Sequence, residues 1–376
     1  MRSNIMYYIA KNNKIEGFAV ENLLGKENMY TSLKNFMFFS QFLGIFPQKS
    51  VRDGEDRIHF SWLSLKVLYT LVYIGFLSVT VVCYIIHIFR AETDIIAIAT
   101  LVFYTVSLLI MILYLKLARV WPDFIRKWCA VDKLTVVNYG YPKKVLRRLR
   151  FFIIVYVILA LTNNVLRACN RYDKLRLSLK ENYTVDAYYK ASTTEVFRCM
   201  RSSTVSGIMA IVINLHTSLL WACNDLFIIV VSVVLASRFR MLSQKLFREC
   251  QKNQPLHFFQ TIREDYDRLA NLCYDLDSNI TGLILLSYFL NIFFILVQLY
   301  RSFELSKHQH ICFLMLNRII LEKSTAFSKI FTLFFPLSIA SSRLRQYRFA
   351  RPGLMTKVKF PGKYLIQCHL MLTTSR

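Results

Sequence analysis

The chain has 376 residues, of which 55% are hydrophobic and 15% aromatic, and its formal net charge is +25. Its apolar residues are concentrated in blocks of about 20 that charged segments separate, a pattern that soluble globular domains do not show. The basic residues lie between these blocks and form no arm interleaved with aromatic residues, which argues against a nucleic-acid-binding surface. We therefore expect membrane lipid, and no nucleic acid, among the partners of this protein.

The apolar blocks predict transmembrane helices, because a helix needs about 20 apolar residues to cross the bilayer core. Five clear spans and one weak span follow in chain order, at residues 67–89, 95–115, 151–167, 205–236, 280–300 and, weakly, within 311–340. The blocks lack the alternation of barrel strands, so the predicted fold is an all-α polytopic membrane helix bundle. The chain then divides into an N-terminal segment (1–66), the bundle (67–340) and a basic tail (341–376).

The distribution of Lys and Arg predicts the orientation of the spans. Residues 116–150, interpreted as a loop, carry ten Lys or Arg and two Asp, whereas the link at 90–94 carries one Arg and two acids. The positive-inside rule places the longer loop and the N-terminus in the cytoplasm. Residues 167–204 then lie outside, where Asn182 begins a glycosylation sequon and Cys169 and Cys199 are candidates for a disulfide.

Polar residues share one face of the fourth predicted span. They are Asn214, Thr217, Ser218, Trp221, Asn224 and Asp225, and His216 is offset from them. Asn291 and Gln298 share a face of the fifth span, and Asn163 and Asn164 end the third. Since ionisable groups inside a membrane usually face protein or water, these side chains could converge on a water-filled cavity.

The predicted ligand-binding residues are therefore Asn163, Asn164, His216, Trp221, Asn224, Asp225, Asn291 and Gln298. Trp221 and Tyr288 would offer flat apolar faces to a polyhydroxylated ligand. The alternative is that these polar side chains only join one helix to another. Asp225 has no basic partner within reach on its own helix, because Arg238 and Arg240 lie three to four turns further along.

Motifs of enzymes and metal sites are not found in the sequence. There is no GxSxG, HExxH or P-loop pattern, and the nine cysteines form no CxxC pair. The "HQH" at residues 308–310 lacks partners at metal-ligand spacing. We therefore predict no catalytic residue, no metal site and no cofactor.

Several segments resemble the insect gustatory receptor family, and its sugar-receptor clade most closely. They are "FSQFLGIFP" at 39–47, "FSW" at 60–62, "NDLFIIVVSVVLASRFRML" at 224–242 and "LSYFLNIFFILVQL" at 286–299. The resemblance implies a seven-helix protein of the plasma membrane with a cytoplasmic N-terminus, acting as a ligand-gated cation channel subunit. It also implies a homo- or hetero-tetramer with other gustatory receptors, and a small polar tastant, in this clade a sugar, bound in the outer half of the bundle.

The C-terminal part departs from this family. The Thr-Tyr and Gln-Phe pattern of the family's last helix does not occur after residue 300, and residues 341–376 carry eight Lys or Arg and no acid. We expect the seventh helix to be missing or replaced, which leaves a truncated, non-conducting isoform as one alternative. A secondary transporter is another, although no internal repeat or pair of Gly/Pro-broken helices supports it.

Overall fold

The fold is built from long helices. The computed structural model describes residues 29–90, 95–139, 151–169 (except 152, 163, 167 and 168), 204–249 and 255–306, all within the unit Met1–Ile330. The helices of this part are α1 (Met29–Gln41), α2 (Leu65–Arg90), α3 (Ile95–Tyr139), α4 (Ile153–Leu166), α5 (Thr204–Glu249) and α6 (Leu256–Ser306). Strand pairing within it is limited to the isolated bridge between Lys49 and His59.

Four of these helices, α2, α3, α5 and α6, are long and apolar enough to cross a membrane, and α4 is a shorter apolar helix. The prediction of an all-α polytopic membrane helix bundle is therefore confirmed. The apolar blocks 67–89, 95–115, 205–236 and 280–300 lie inside α2, α3, α5 and α6. The weak span within 311–340 and the tail 341–376 lie outside the described residues.

The interpretation of residues 116–150 as a loop is wrong as far as Tyr139, because α3 continues to that residue. A helix of 45 residues is about 68 Å long, more than twice the bilayer core of about 30 Å. Its second half remains amphipathic, with Leu117, Trp121 and Trp128 buried on one face and Arg119 exposed on another. The basic residues of this half are exposed on the helix; they are Lys116, Arg119, Arg126, Lys127 and Lys133.

Residues 116–139 of α3, 237–249 of α5 and 256–279 of α6 form a helical extension beyond the apolar blocks. Its core is centred on Leu242, Ile262 and Leu269, against which Val131 and Phe239 pack. The extension follows the apolar blocks of α3 and α5 and precedes that of α6, so all three parts lie at the same end of the bundle. This end therefore has a hydrophobic core of its own.

The N-terminal segment, residues 29–64, packs against the bundle at the same end. Phe46 is fully buried, with its ring centroid 5.3 Å from that of Tyr114 and 5.2 Å from those of Trp121 and Phe227. Gly44 allows the close approach, since its φ is +67° and an added Cβ would lie 3.2 Å from Met111 Cε. The segment is thus part of the fold.

A side chain of the N-terminal segment also completes α3. Pro122 lies inside this helix and has no N–H to donate to the carbonyl of Ala118. The amide Nε2 of the buried Gln48 donates to that carbonyl at 3.0 Å. A backbone acceptor that would otherwise lack a partner near the membrane boundary is satisfied in this way.

Candidate functional site

The polar face of α5 is the centre of the candidate site, because it hydrogen-bonds to three other helices. The interhelical contacts described are Asn214 Nδ2 to Tyr104 Oη (3.0 Å), Tyr73 Oη with Thr217 Oγ1 (2.8 Å), Tyr114 Oη to Asn224 Oδ1 (3.0 Å) and Ser287 Oγ to Asp225 Oδ1 (2.5 Å). The partners belong to α2, α3 and α6. The stripe predicted from the spacing of residues 214–225 therefore faces protein, and each of these four polar residues has an interhelical bond.

Within the part of the chain that the structure describes, three residues of this region still have buried polar atoms without a hydrogen-bond partner. They are Asn224 through Nδ2, Trp221 through Nε1 and His216 through both ring nitrogens. A buried donor or acceptor that lacks a partner costs about 1–3 kcal/mol, so natural proteins rarely keep several together. These atoms are available to a ligand or to water.

Aromatic rings surround Trp221. Its ring centroid lies 6.1 Å from that of Phe103 on α3 and 5.6 Å from that of Phe294 on α6. The rings hold the indole between two helices, while its Nε1 has no acceptor among the described residues. An apolar wall with one available donor suits a ligand that has both an apolar face and hydroxyl groups.

His216 lies against α2. Its ring centroid is 3.7 Å from that of Tyr73, and the two planes are inclined by 39°. The Tyr73 hydroxyl is hydrogen-bonded to Thr217 and not to His216. Both imidazole nitrogens therefore lack a partner among the described residues. His216 is offset from the polar stripe in the sequence, yet it reaches the same contact region through Tyr73.

Asp225 faces α6. Its carboxylate accepts a hydrogen bond from the Ser287 hydroxyl, and Asn291 Nδ2 lies 3.4 Å from the same Ser287 oxygen. Tyr114 of α3 and Tyr156 of α4 lie close enough to Asp225 for its charge to act on their hydroxyl groups. Arg238 does not reach Asp225 but binds Asp132, as the distance along α5 predicts. The acid in the apolar helix therefore meets other helices.

The remaining predicted residues do not join this group. Asn164 donates from Nδ2 to the Ala160 carbonyl of its own helix at 2.9 Å. Gln298 is half-buried on α6, two turns beyond Asn291, and has no hydrogen bond to another described residue. Asn163, Asn182 and Cys199 lie outside the described residues, and Cys169 is an exposed free thiol.

Sequence reasoning missed the tyrosines that bind the polar face. Tyr73 lies in the apolar block of α2, and Tyr104 and Tyr114 lie in that of α3. A buried tyrosine usually needs a partner for its hydroxyl, so mid-block tyrosines were a usable signal. Among the described residues, no group of three His, Cys, Asp or Glu could hold a metal ion.

The chain is similar to known proteins over most of its length. A family model described as trehalose receptor matches residues 9–316. The gustatory receptor for sugar taste 64a of Drosophila melanogaster is 24% identical over 312 residues, which are 80% of this chain and 67% of that protein. The fly's gustatory receptor for sugar taste 64b is 28% identical over 288 residues, 74% of this chain and 70% of that protein.

A third relative, the gustatory receptor 5a for trehalose of Drosophila melanogaster, is 22% identical over 252 residues, 65% of this chain and 55% of that protein. The matched region includes every described helix, from α1 to α6. The resemblance inferred from the segments between residues 39 and 299 is therefore confirmed. This chain is a multi-pass membrane protein that belongs to the trehalose-receptor family, within the sugar-receptor clade of insect gustatory receptors.

Proposed function

We propose that this chain senses a sugar and that the ligand binds at the polar face of α5. The observation that carries the proposal is the group of unpartnered buried atoms on His216, Trp221 and Asn224. A sugar has hydroxyl groups that donate and accept, together with an apolar C–H face that packs on an indole ring. Asp225 and Asn291 extend this polar region towards α6. We assign the chain no enzymatic activity.

The proposed topology is that of a plasma-membrane receptor with a cytoplasmic N-terminus. The ten Lys or Arg of residues 116–150 support this orientation. In this orientation α5 runs from outside to inside, so His216 lies nearer the outer surface than Asp225. The site would then be entered from the outside, and the helical extension would lie in the cytoplasm.

The proposed output is a cation current, with this chain as one subunit of a homo- or hetero-tetramer of gustatory receptors. The length of α5 supports a coupling between ligand binding and channel opening, because the helix that carries the site continues to Glu249 in the helical extension. A sugar that binds one arrangement of α5 more tightly than another would shift the population of open channels. The names of the relatives support sugar taste, and the family resemblance supports the channel.

The test is whole-cell recording from cells that express the chain, alone and with other gustatory receptors, during application of a panel of sugars. We expect a sugar-evoked cation current that Trp221→Phe weakens, since this change removes Nε1–H but keeps an aromatic ring between Phe103 and Phe294. The matched control is Trp128→Phe, the same substitution at a buried position of the helical extension.

Surface expression of each variant is measured alongside the current. Uptake of labelled sugar without any current would contradict the channel and support a transporter. A chain that reaches the surface but conducts in none of these combinations would contradict the channel and support a non-conducting isoform. Equal dose–response curves for Trp221→Phe and the native chain would contradict the proposed position of the ligand.

A further inference from the structure

A groove separate from the α5 site lies between the N-terminal segment and α3. Its volume is about 730 Å³, and its lining includes Arg57, His59, Phe60, Trp62, Arg119 and Pro122. We call it the surface groove. It combines guanidinium groups with aromatic rings, and none of its residues takes part in the hydrogen bonds of the α5 polar face.

The surface groove lies beside the ends of two apolar blocks, where we expect the bundle to leave the membrane. Helix α2 begins at Leu65, and the apolar block of α3 ends at residue 115, one turn before Arg119. Trp62, Leu63 and Leu65 are 58%, 97% and 83% exposed. Three large apolar side chains beside a charged groove, at the start of a spanning helix, are typical of contact with the membrane interface.

Arg57 and Arg119 give the surface groove its positive charge. Neither guanidinium forms an ion pair with a described residue, whereas Arg126 is paired with Asp123 at 2.5 Å. Asp56 is the remaining acid of the lining and has no ion pair in the described part of the chain. Two cations against one acid leave a net charge of +1, and a phosphate group is a favourable partner for two guanidiniums.

The backbone around the groove is held in place. The Lys49 N–H donates to the His59 carbonyl at 3.0 Å, and His59 Nδ1 lies 3.0 Å from the Arg57 carbonyl. Gln48, next to Lys49, is anchored on the Ala118 carbonyl of α3, one residue before Arg119. The two free guanidiniums therefore lie on elements that are hydrogen-bonded to each other, which lowers the ordering cost of binding an anion.

We propose that the surface groove binds the headgroup of an anionic phospholipid. Arg57 and Arg119 would hold the phosphate, and Trp62 and Leu63 would contact the acyl chains. The exposed apolar side chains favour a lipid over a soluble phosphate, because a soluble anion would leave them in water. The inference rests on the proposed cytoplasmic N-terminus, since anionic lipids are concentrated in the cytoplasmic leaflet.

The test is native mass spectrometry of the full chain, purified in a mild detergent and mixed with equal amounts of dioleoyl-phosphatidylserine and dioleoyl-phosphatidylcholine. We expect a preference for phosphatidylserine that the double variant Arg57→Gln/Arg119→Gln reduces about tenfold or more, since each basic residue near an anionic surface contributes about fivefold. The control is Arg90→Gln/Arg301→Gln, which removes two exposed arginines at the C-terminal ends of α2 and α6, away from the surface groove.

A change of opposite sign strengthens the test. Asp56→Asn removes the unpaired acid, so we expect a greater preference for phosphatidylserine than the native chain shows. The inference would be overturned by equal binding of the two lipids, by an unchanged preference in Arg57→Gln/Arg119→Gln, or by a decreased preference in Asp56→Asn.

Displacement of the lipid by an equal concentration of glycerophosphoserine would indicate a soluble-anion site instead. Lipid binding is measured without sugar, so its failure is distinguishable from failure of the proposed sugar response.

Discussion

Arg238 of α5 and Asp132 of α3 form a buried ion pair in the helical extension. The guanidinium Nη2 donates to Oδ2 at 2.9 Å, and Nε lies 2.6 Å from Oδ1. The two side chains are only 2% and 1% exposed. The pair joins α5, the helix that carries the candidate site, to α3, the helix on which the N-terminal segment packs. The two helices are thus held together beyond their apolar blocks.

Removal of one partner of this pair should be strongly destabilising. Arg238→Met leaves the Asp132 carboxylate buried without its cation, and the expected loss of unfolding free energy is about 3–5 kcal/mol. The double variant Asp132→Leu/Arg238→Met should recover most of this loss, because it removes both charges. Thermal unfolding of the detergent-purified proteins measures the effect.

The matched control for this prediction is the exposed pair of Lys127 and Asp275, which lie 3.2 Å apart with side chains 67% and 42% exposed. Lys127→Met should cost at most about 1 kcal/mol, because water screens an exposed pair. A loss in Arg238→Met no larger than that in Lys127→Met would show that the buried pair does not hold the extension.

Two tyrosine hydroxyls on the polar face of α5 should differ in their contribution to stability. Tyr114→Phe leaves the buried Asn224 without a partner for Oδ1 as well as Nδ2, at an expected cost of about 1–3 kcal/mol. Tyr73→Phe should cost about 0.6 kcal/mol, a typical value for an interhelical bond in a membrane. Its partner Thr217 retains a bond to the Ile213 carbonyl at 2.7 Å. Equal melting temperatures for the two variants would contradict this ranking.

The spacing of polar residues along α5 was sufficient to predict that they share a face, because helical periodicity is a local property. Their partners depend on how α2, α3 and α6 pack around that face, which no local pattern encodes. Tyr104, Tyr114 and Ser287 were therefore not identified as partners of Asn214, Asn224 and Asp225. Within the candidate site, the sequence predicted the α5 residues and missed the residues that bind them.

The extent of α3 was missed for a different reason. The density of Lys and Arg after residue 115 suggested a loop, but a basic segment can be one face of an amphipathic helix. Pro122 lies inside this helix, and the side chain that satisfies the Ala118 carbonyl in its place, Gln48, lies 70 residues before Ala118 in the chain. The sequence therefore predicted the apolar block with which α3 begins but not where the helix ends.

Gly44 should be sensitive to replacement, since its φ of +67° disfavours L side chains. An added Cβ would lie 3.2 Å from Met111 Cε and 3.3 Å from Thr70 Oγ1, whose hydroxyl is already bonded to the Gly44 carbonyl. Gly44→Ala should lower the free energy of unfolding by about 1–2 kcal/mol from the backbone alone. Gly75→Ala is the control, because nothing lies within 4 Å of its Cβ position and alanine favours the helix. A Gly44→Ala melting temperature equal to or above that of Gly75→Ala would refute the prediction.

The contact between Gln48 and the Ala118 carbonyl should be coupled to Pro122. Gln48→Leu leaves that carbonyl without a donor, at an expected cost of about 1–3 kcal/mol in unfolding free energy. Pro122→Ala restores a backbone N–H four residues after Ala118, so the helix can satisfy the carbonyl itself. Gln48→Leu should then cost less in the Pro122→Ala background, with an interaction energy of about 0.5–3 kcal/mol between the two sites.

Thermal unfolding of the native chain, both single variants and the double variant gives this interaction energy directly. Strict additivity would mean that Gln48 stabilises α3 by packing alone, and the bond to Ala118 would then contribute nothing of its own.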